Sequence, residues 1–268
     1  MISLKRNSKL ELVKAVGVRS KASSIYTPNQ KDDFRISRSK FDNFLLCPRC
    51  FYLDRVKGLQ DPGMPAWSLN SATDHLLKKE FDECREEGKP HRLFSKFGLD
   101  HLIPLKHPKI DDWRDSLRKG LEHRYKQTNI ILSGGVDDIW YDTKNEEFIV
   151  VDYKSQASDN AVKTEDYLAS PYHQGYKVQM DFYNYLLTCM GHKVSPTSYF
   201  LVVNANRGAK GFYGNMEFSE TIIPYNHNIS WIPNKVEEMI NVMNSKELPN
   251  GNESCEICAY SRERGIHE

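Results

Sequence analysis

Two short runs of β-branched residues anchor the hydrophobic pattern of this chain. Residues 135–140 (Gly-Val-Asp-Asp-Ile-Trp) and 149–154 (Ile-Val-Val-Asp-Tyr-Lys) read as strands, and the polar segment 141–147 between them has turn composition. Strand side chains alternate faces, so Asp152 and Lys154 share one face and Tyr153 takes the other. Around this hairpin the periodicity is helical. A helix is expected over 37–58, with Phe41, Phe44 and Leu45 on its apolar side, a kink at Pro48, then Phe51, Tyr52 and Val56, and a stop at Gly58. A second, over 68–87, stops at Gly88 and carries His75 close to its apolar stripe. A third is expected over 108–127, from Trp113, Leu117, Leu121 and Tyr125. Residues 155–170 read as a polar connection, followed by a helix over 172–190, strands over 198–205 and 212–223, and a helix over 234–246. Residues 1–34 show only weak periodicity.

Composition narrows the class. A chain of 268 residues, 39% hydrophobic and 27% charged, can bury a substantial core as one domain with extensions. No run of about 18 apolar residues is present, so no membrane span is expected. The first residues lack the apolar stretch of a secretory signal, which makes a reducing, cytoplasmic setting the expectation. There, six cysteines are thiols or metal ligands rather than disulfides. Charge is unevenly spread: residues 1–40 hold ten Lys and Arg against three acids, a net of +7, which leaves −6 for the remainder of a chain whose total is +1. A basic arm over 1–36 can contact nucleic-acid phosphates.

The chemistry concentrates at the hairpin. With Asp137 on the same face as Asp152 and Lys154, two carboxylates and an ammonium converge, a set able to hold a divalent cation and a water beside a phosphodiester. Downstream, Gln179 and Tyr183 stand four residues apart and share one helix face. A second constellation is formed by Cys47/Cys50 and Cys255/Cys258, two CxxC pairs that together can complete a tetrahedral four-sulfur site, for which zinc is the default by spacing. Arg49, Arg55, Arg207 and Lys210 are candidate phosphate contacts, and Trp67, Tyr172 and Tyr176 candidate stacking partners for unpaired bases.

The order Asp74-His75-Leu76-Leu77, Gly134-Gly135-Val136-Asp137, Val151-Asp152-Tyr153-Lys154, Gln179-Met180-Asp181-Phe182-Tyr183 resembles the PD-(D/E)XK nuclease superfamily, and within it the RecB-type branch. The resemblance implies an α/β fold with a restriction-endonuclease-like core: a small mixed sheet flanked by helices, its two chain ends joined at a four-cysteine metal site. The domain would cover 37–260, leaving 261–268 as a tail. It further implies that His75, Asp137, Asp152 and the Tyr153 carbonyl ligate Mg²⁺ or Mn²⁺, with Lys154, Gln179 and Tyr183 completing the catalytic set. For the cysteines, the resemblance to iron–sulfur nucleases of recombination complexes and CRISPR adaptation implies a [4Fe–4S] cluster, with Zn²⁺ as the alternative. The implied activity is metal-dependent hydrolysis of DNA, as an exonuclease on single-stranded or frayed ends in repair or recombination, with a helicase or recombination partner. A different class stays open: a metal-stapled nucleic-acid-binding module with a silent nuclease centre.

Overall fold

The computed structural model describes residues 4–63 and 67–268. In chain order the elements are β1 (Phe34–Ser37), α1 (Arg38–Leu46), α2 (Pro48–Arg55), α3 (Ser68–Glu87), α4 (Arg92–Lys96), β2 (Leu102–Pro104), α5 (Ile110–Arg114), β3 (Leu121–Arg124) and β4 (Ile130–Gly134). They continue with β5 (Asp138–Asp142), β6 (Glu147–Ala157), α6 (Thr164–Ala169), α7 (Gln174–Cys189), β7 (Thr197–Ala205), β8 (Phe218–Asn226), α8 (Ile232–Asn244) and α9 (Glu256–His267). This is a mixed α/β protein with small sheets, of three strands ordered β1-β4-β3 and of five ordered β2-β5-β6-β7-β8. Among the described residues no helix is long and apolar enough to cross a membrane.

The chain divides into two compact units, one of residues 1–66, 124–132 and 231–268, the other of residues 67–123 and 133–230. In the first, α1, α2 and α8 pack on one another. Phe41 stacks on Trp231 at 5.9 Å and Phe44 meets Phe51 edge-on at 5.5 Å. The kink expected at Pro48 is a break: Cys47 is extended between two helices, and Pro48 opens α2, where its missing N–H costs no intrahelical bond. The strand β1 occupies residues that weak periodicity left unassigned, and a final helix, α9, starts within the second cysteine pair, just after Cys255, and carries Cys258.

The second unit is built on the five-stranded sheet. Its central strands β6 and β7 run parallel, with Asp152 opposite Phe200, while β5 pairs with β6 antiparallel, Asp138 opposite Val151. Alternation along β6 assigns its faces. Val151 and Tyr153 join a core with Leu77 and Phe81 of α3, Trp140 and Leu201. Asp152 turns the other way, to Gln179 of α7. Residues 149–153 are all buried, as expected of a strand covered on both faces.

Four expectations about elements need correction. The helix over 108–127 is only α5; the chain then turns and enters β3. The Asp115 carboxylate accepts from the Leu117 and Arg118 N–H groups, an alternative to helix bonds, and Leu117 is 93% exposed. Gly120 has φ +87°, and a Cβ there would stand 2.7 Å from the Gly134 carbonyl oxygen, so turn and close approach both require glycine. The hairpin strand starts at Asp138, not at residue 135, which leaves Asp137 in the bend just ahead of β5. The second strand after α7 runs Phe218–Asn226 rather than 212–223, so the basic turn is longer, and the polar connection 155–170 contains α6.

Candidate active site

The two neighbouring aspartates at the head of β5 have opposite duties. Asp138 is fully buried and accepts from Arg114 at 2.8 Å, from the Tyr153 hydroxyl at 2.8 Å, and from Arg85. It is a neutralised structural anchor. Burial, and next the Asp138 carboxylate, hold the Tyr153 hydroxyl protonated. Asp137 faces the other way: its carboxylate accepts the Tyr153 backbone N–H at 2.9 Å and keeps 26% of its side chain open. Loss of water around it, and after that the charge of Asp152, push its pKa up to about 6. A carboxylate that resists ionisation beside a second one is a site short of positive charge.

Asp152 is completely buried. Its Oδ1 accepts from Gln179 Nε2 at 2.6 Å, and it forms an ion pair with Lys154 two residues on, on the same face of β6. The Gln179 amide is used at both ends: its Nε2 also reaches the Tyr183 hydroxyl at 3.3 Å, and its Oε1 accepts from Lys154 at 3.4 Å. Lys154 Nζ lies 4.5 Å from the centre of the Tyr176 ring. Two turns of α7 thus present Tyr176, Gln179 and Tyr183 (i, i+3, i+7) to the face of β6 that carries Asp152 and Lys154. Asp137, Asp152, Lys154, Gln179 and Tyr183 are therefore brought together.

His75 is placed differently. It is exposed on α3, while the same helix directs Thr73 to the Ser155 hydroxyl at 2.9 Å and Lys78 to within 3.8 Å of Asp137. Lys78 also binds Asp74 at 3.0 Å, so a lysine links an α3 carboxylate to the hairpin. Lys78 was not anticipated, although its place three residues beyond His75 put it on the same helix side. Tyr167 was also missed, because no motif marks it: its ring is 5% exposed, and its buried hydroxyl has no hydrogen-bond partner. Burial, and then the nearby Asp152 charge, keep that hydroxyl protonated.

The one group of three or more His, Cys, Asp or Glu ligand atoms lying within 4.8 Å of one another, among the described residues, is Cys47, Cys50, Cys255 and Cys258. Cys50 Sγ stands 3.4 Å from Cys258 and 3.6 Å from Cys255, and Cys47 Sγ 3.7 Å from Cys258. The break at Pro48 and the N-terminus of α9 deliver the two pairs. Burial opposes ionisation of Cys47, but N–H donors of Cys50 and Asn252 outweigh it and lower its pKa to about 7. A Cβ on Gly251 would lie 3.2 Å from Cys258 Sγ, so the loop packs directly on the sulfurs. Of the candidate phosphate contacts, Arg55 is buried and paired with Asp54, and Arg49 donates to the Pro249 carbonyl. Arg207, 60% exposed, lies 3.7 Å from Asp159.

The model of the PD-(D/E)XK nuclease superfamily matches residues 35–262. This chain is a member of that superfamily. The match covers both the hairpin and the four cysteines. A PD-(D/E)XK nuclease acts on nucleic acid and uses divalent metal ions. No curated protein matches the chain. Among solved structures it is similar to a "Putative exonuclease" from Eubacterium rectale, at 14% identity and a TM-score of 0.45, over 85% of this chain and 88% of that one.

Proposed function

We propose that this PD-(D/E)XK nuclease, of the RecB-type branch, hydrolyses phosphodiester bonds of DNA with Mg²⁺ or Mn²⁺, as an exonuclease on single-stranded or frayed ends. The observation that carries the reading is the buried Asp152, fixed by Gln179, paired with Lys154 and set beside the poorly neutralised Asp137. The donors suit a hard cation: the carboxylates of Asp137 and Asp152 and the Tyr153 carbonyl would hold it, with room for waters. When bound, the cation lowers the pKa of a water and offsets charge at the phosphate. Lys154 orients the attacking water and stabilises negative charge on the phosphate oxygens. Gln179 locks one oxygen of Asp152 and steadies Lys154, while Tyr183 buttresses Gln179. His75, exposed on the flank of α3, is the outlying member of the ligand set. Work in repair or recombination beside a helicase is the pathway this activity fits. Incubation of the protein with end-labelled and circular DNA in Mg²⁺ or Mn²⁺ tests the reading. Release of nucleotides from linear DNA alone supports it; cleavage of circles overturns the exonuclease part, and no cleavage at all overturns the whole.

For the cysteines, the sulfur spacing supports one tetrahedral ion over the iron–sulfur cluster that the resemblance implies. Four thiolates about 2.3 Å from a zinc ion stand roughly 3.8 Å apart, close to the 3.4–3.7 Å of three of the pairs here, with all four sulfurs within 4.8 Å. A cubane takes each thiolate on a different iron and spreads them further. The ion ties residues 205 positions apart, closing a very long loop. One equivalent of zinc in colourless, anaerobically purified protein is expected; four irons with a visible absorption band would reverse the assignment.

A further inference from the structure

A cavity of about 840 Å³ opens beside the reactive face of β6. That volume lies in the range of about 300–1,000 Å³ in which small molecules are held. Its wall is not a phosphate trap. Gln156 and Asn160 offer amides, Ser158 and Ser170 hydroxyls, and the single Lys163 is balanced by Asp166. Such a lining suits the edge of a base and the hydroxyls of a sugar, groups that donate and accept in turn.

The cavity is joined to the reacting groups. Gln156 lies two residues beyond Lys154 on the same strand face. His173, another wall residue, is held by the Tyr167 carbonyl at 2.8 Å and sits between two rings, Tyr167 at 4.1 Å and Tyr176 at 5.2 Å. Tyr176 in turn carries Lys154 on its face. The His173 ring is packed against protein aromatics, so this ladder is a wall and not a stacking platform. Tyr167 lines the cavity and places its unpartnered, buried hydroxyl in electrostatic reach of Asp152. A buried donor of this kind is costly to leave unmade, and a substrate oxygen that reaches it through a small shift of the cavity wall satisfies it.

We propose that this cavity seats one unpaired nucleoside of the substrate strand, read by the amides and hydroxyls of its wall, while the Tyr167 hydroxyl positions the adjoining phosphate against Asp152 and Lys154. A paired base has its edge occupied by its partner, so the site selects unpaired ends. The inference rests on the nuclease reading and adds the origin of its strand preference.

Two variants test it. Asn160→Leu/Ala161→Leu fills the cavity from an exposed loop, removes an amide and adds no aromatic ring. Tyr167→Phe removes one hydroxyl and keeps the ring. In metal-free buffer, fluorescence anisotropy of labelled single-stranded oligothymidine is expected to show at least tenfold weaker binding by the loop variant and loss of its preference over a blunt duplex. In Mn²⁺, Tyr167→Phe is expected to lower kcat/KM on the oligonucleotide about tenfold, and the loop variant to hydrolyse bis(4-nitrophenyl) phosphate, which has no base, within twofold of wild type. Unchanged anisotropy of the loop variant, or equal losses on both substrates, would overturn the proposal. If wild type cleaves neither substrate, the nuclease reading fails, and the anisotropy comparison still decides the cavity.

Discussion

Replacing Asp137 by Asn should stabilise the protein when no divalent ion is present at the hairpin. Asp137 and Asp152 are drawn together by the fold, and the pKa of Asp137 rises from 3.8 to about 6. Each pKa unit corresponds to about 1.4 kcal/mol, so ionising Asp137 in the folded protein at pH 7.5 costs at most roughly 3 kcal/mol. With a quarter of the side chain open to water, about 1–3 kcal/mol is the realistic range. The sign is opposite to that of a salt-bridged acid. The folded state binds this proton more tightly than the unfolded state, so the penalty is fully present above about pH 6 and is relieved as pH falls from there toward 4. Asparagine keeps an oxygen for the Tyr153 N–H and carries no charge. Urea unfolding in Mg²⁺- and Mn²⁺-free buffer should therefore show the variant more stable than wild type at pH 7.5, with the gap shrinking by about 1 kcal/mol at pH 5. Added Mn²⁺ should reverse the order, because it stabilises only the protein that binds it. A variant less stable than wild type at pH 7.5 without metal, or parallel pH profiles, would show that Asp137 carries no such penalty.

Gln179→Ala should lower kcat about 10- to 100-fold with little change in DNA binding, since it releases Asp152 and Lys154 without removing either; single-turnover kinetics measures this. His75→Ala should change the Mn²⁺ concentration for half-maximal activity by less than tenfold, far less than Asp152→Ala does, which a metal titration of DNA cleavage reads directly. Arg55→Ala should cost only about 1–3 kcal/mol of stability, because Asp54 keeps its ion pairs with Arg19 and Lys40, and leave DNA affinity unaltered at temperatures where it stays folded; denaturation and a filter-binding assay check the two halves.

What could be read from residue order was set by local rules. The alternation through Asp152, Tyr153 and Lys154 assigns their faces correctly, because β6 is pinned by burial on both sides and a one-residue slip would bury Lys154 in the apolar core. The stop of α3 at Gly88 and the seat of α7 followed from their caps and periodicity. The failures lie where a side chain competes with the helix or a distant contact decides. Asp115 and Gly120 end the apparent helix after Arg114 through a turn and a close approach to Gly134 that spacing does not encode. At the site, Asp137 and Asp138 could be told apart, since the Tyr153 side of the strand takes Asp138. Lys78 and Tyr167 could not be found, because each matters through a neighbour 15 or more residues away: Asp137 for the first and Asp152 for the second. Pairing of the cysteines was legible, whereas the distance between their sulfurs, which separates a single ion from a cluster, is a property of the folded chain alone.

Everything proposed for the hairpin turns on Asp152 and Lys154 forming a hydrolytic centre for nucleic acid. Lys154→Ala, assayed beside wild type on end-labelled single-stranded DNA in Mn²⁺, tests it most directly. Wild type should degrade the strand, the variant should be slower by about 10²–10³-fold, as after loss of a group stabilising transition-state charge, and both should bind the strand with similar affinity. A variant that cleaves as fast as wild type would contradict it.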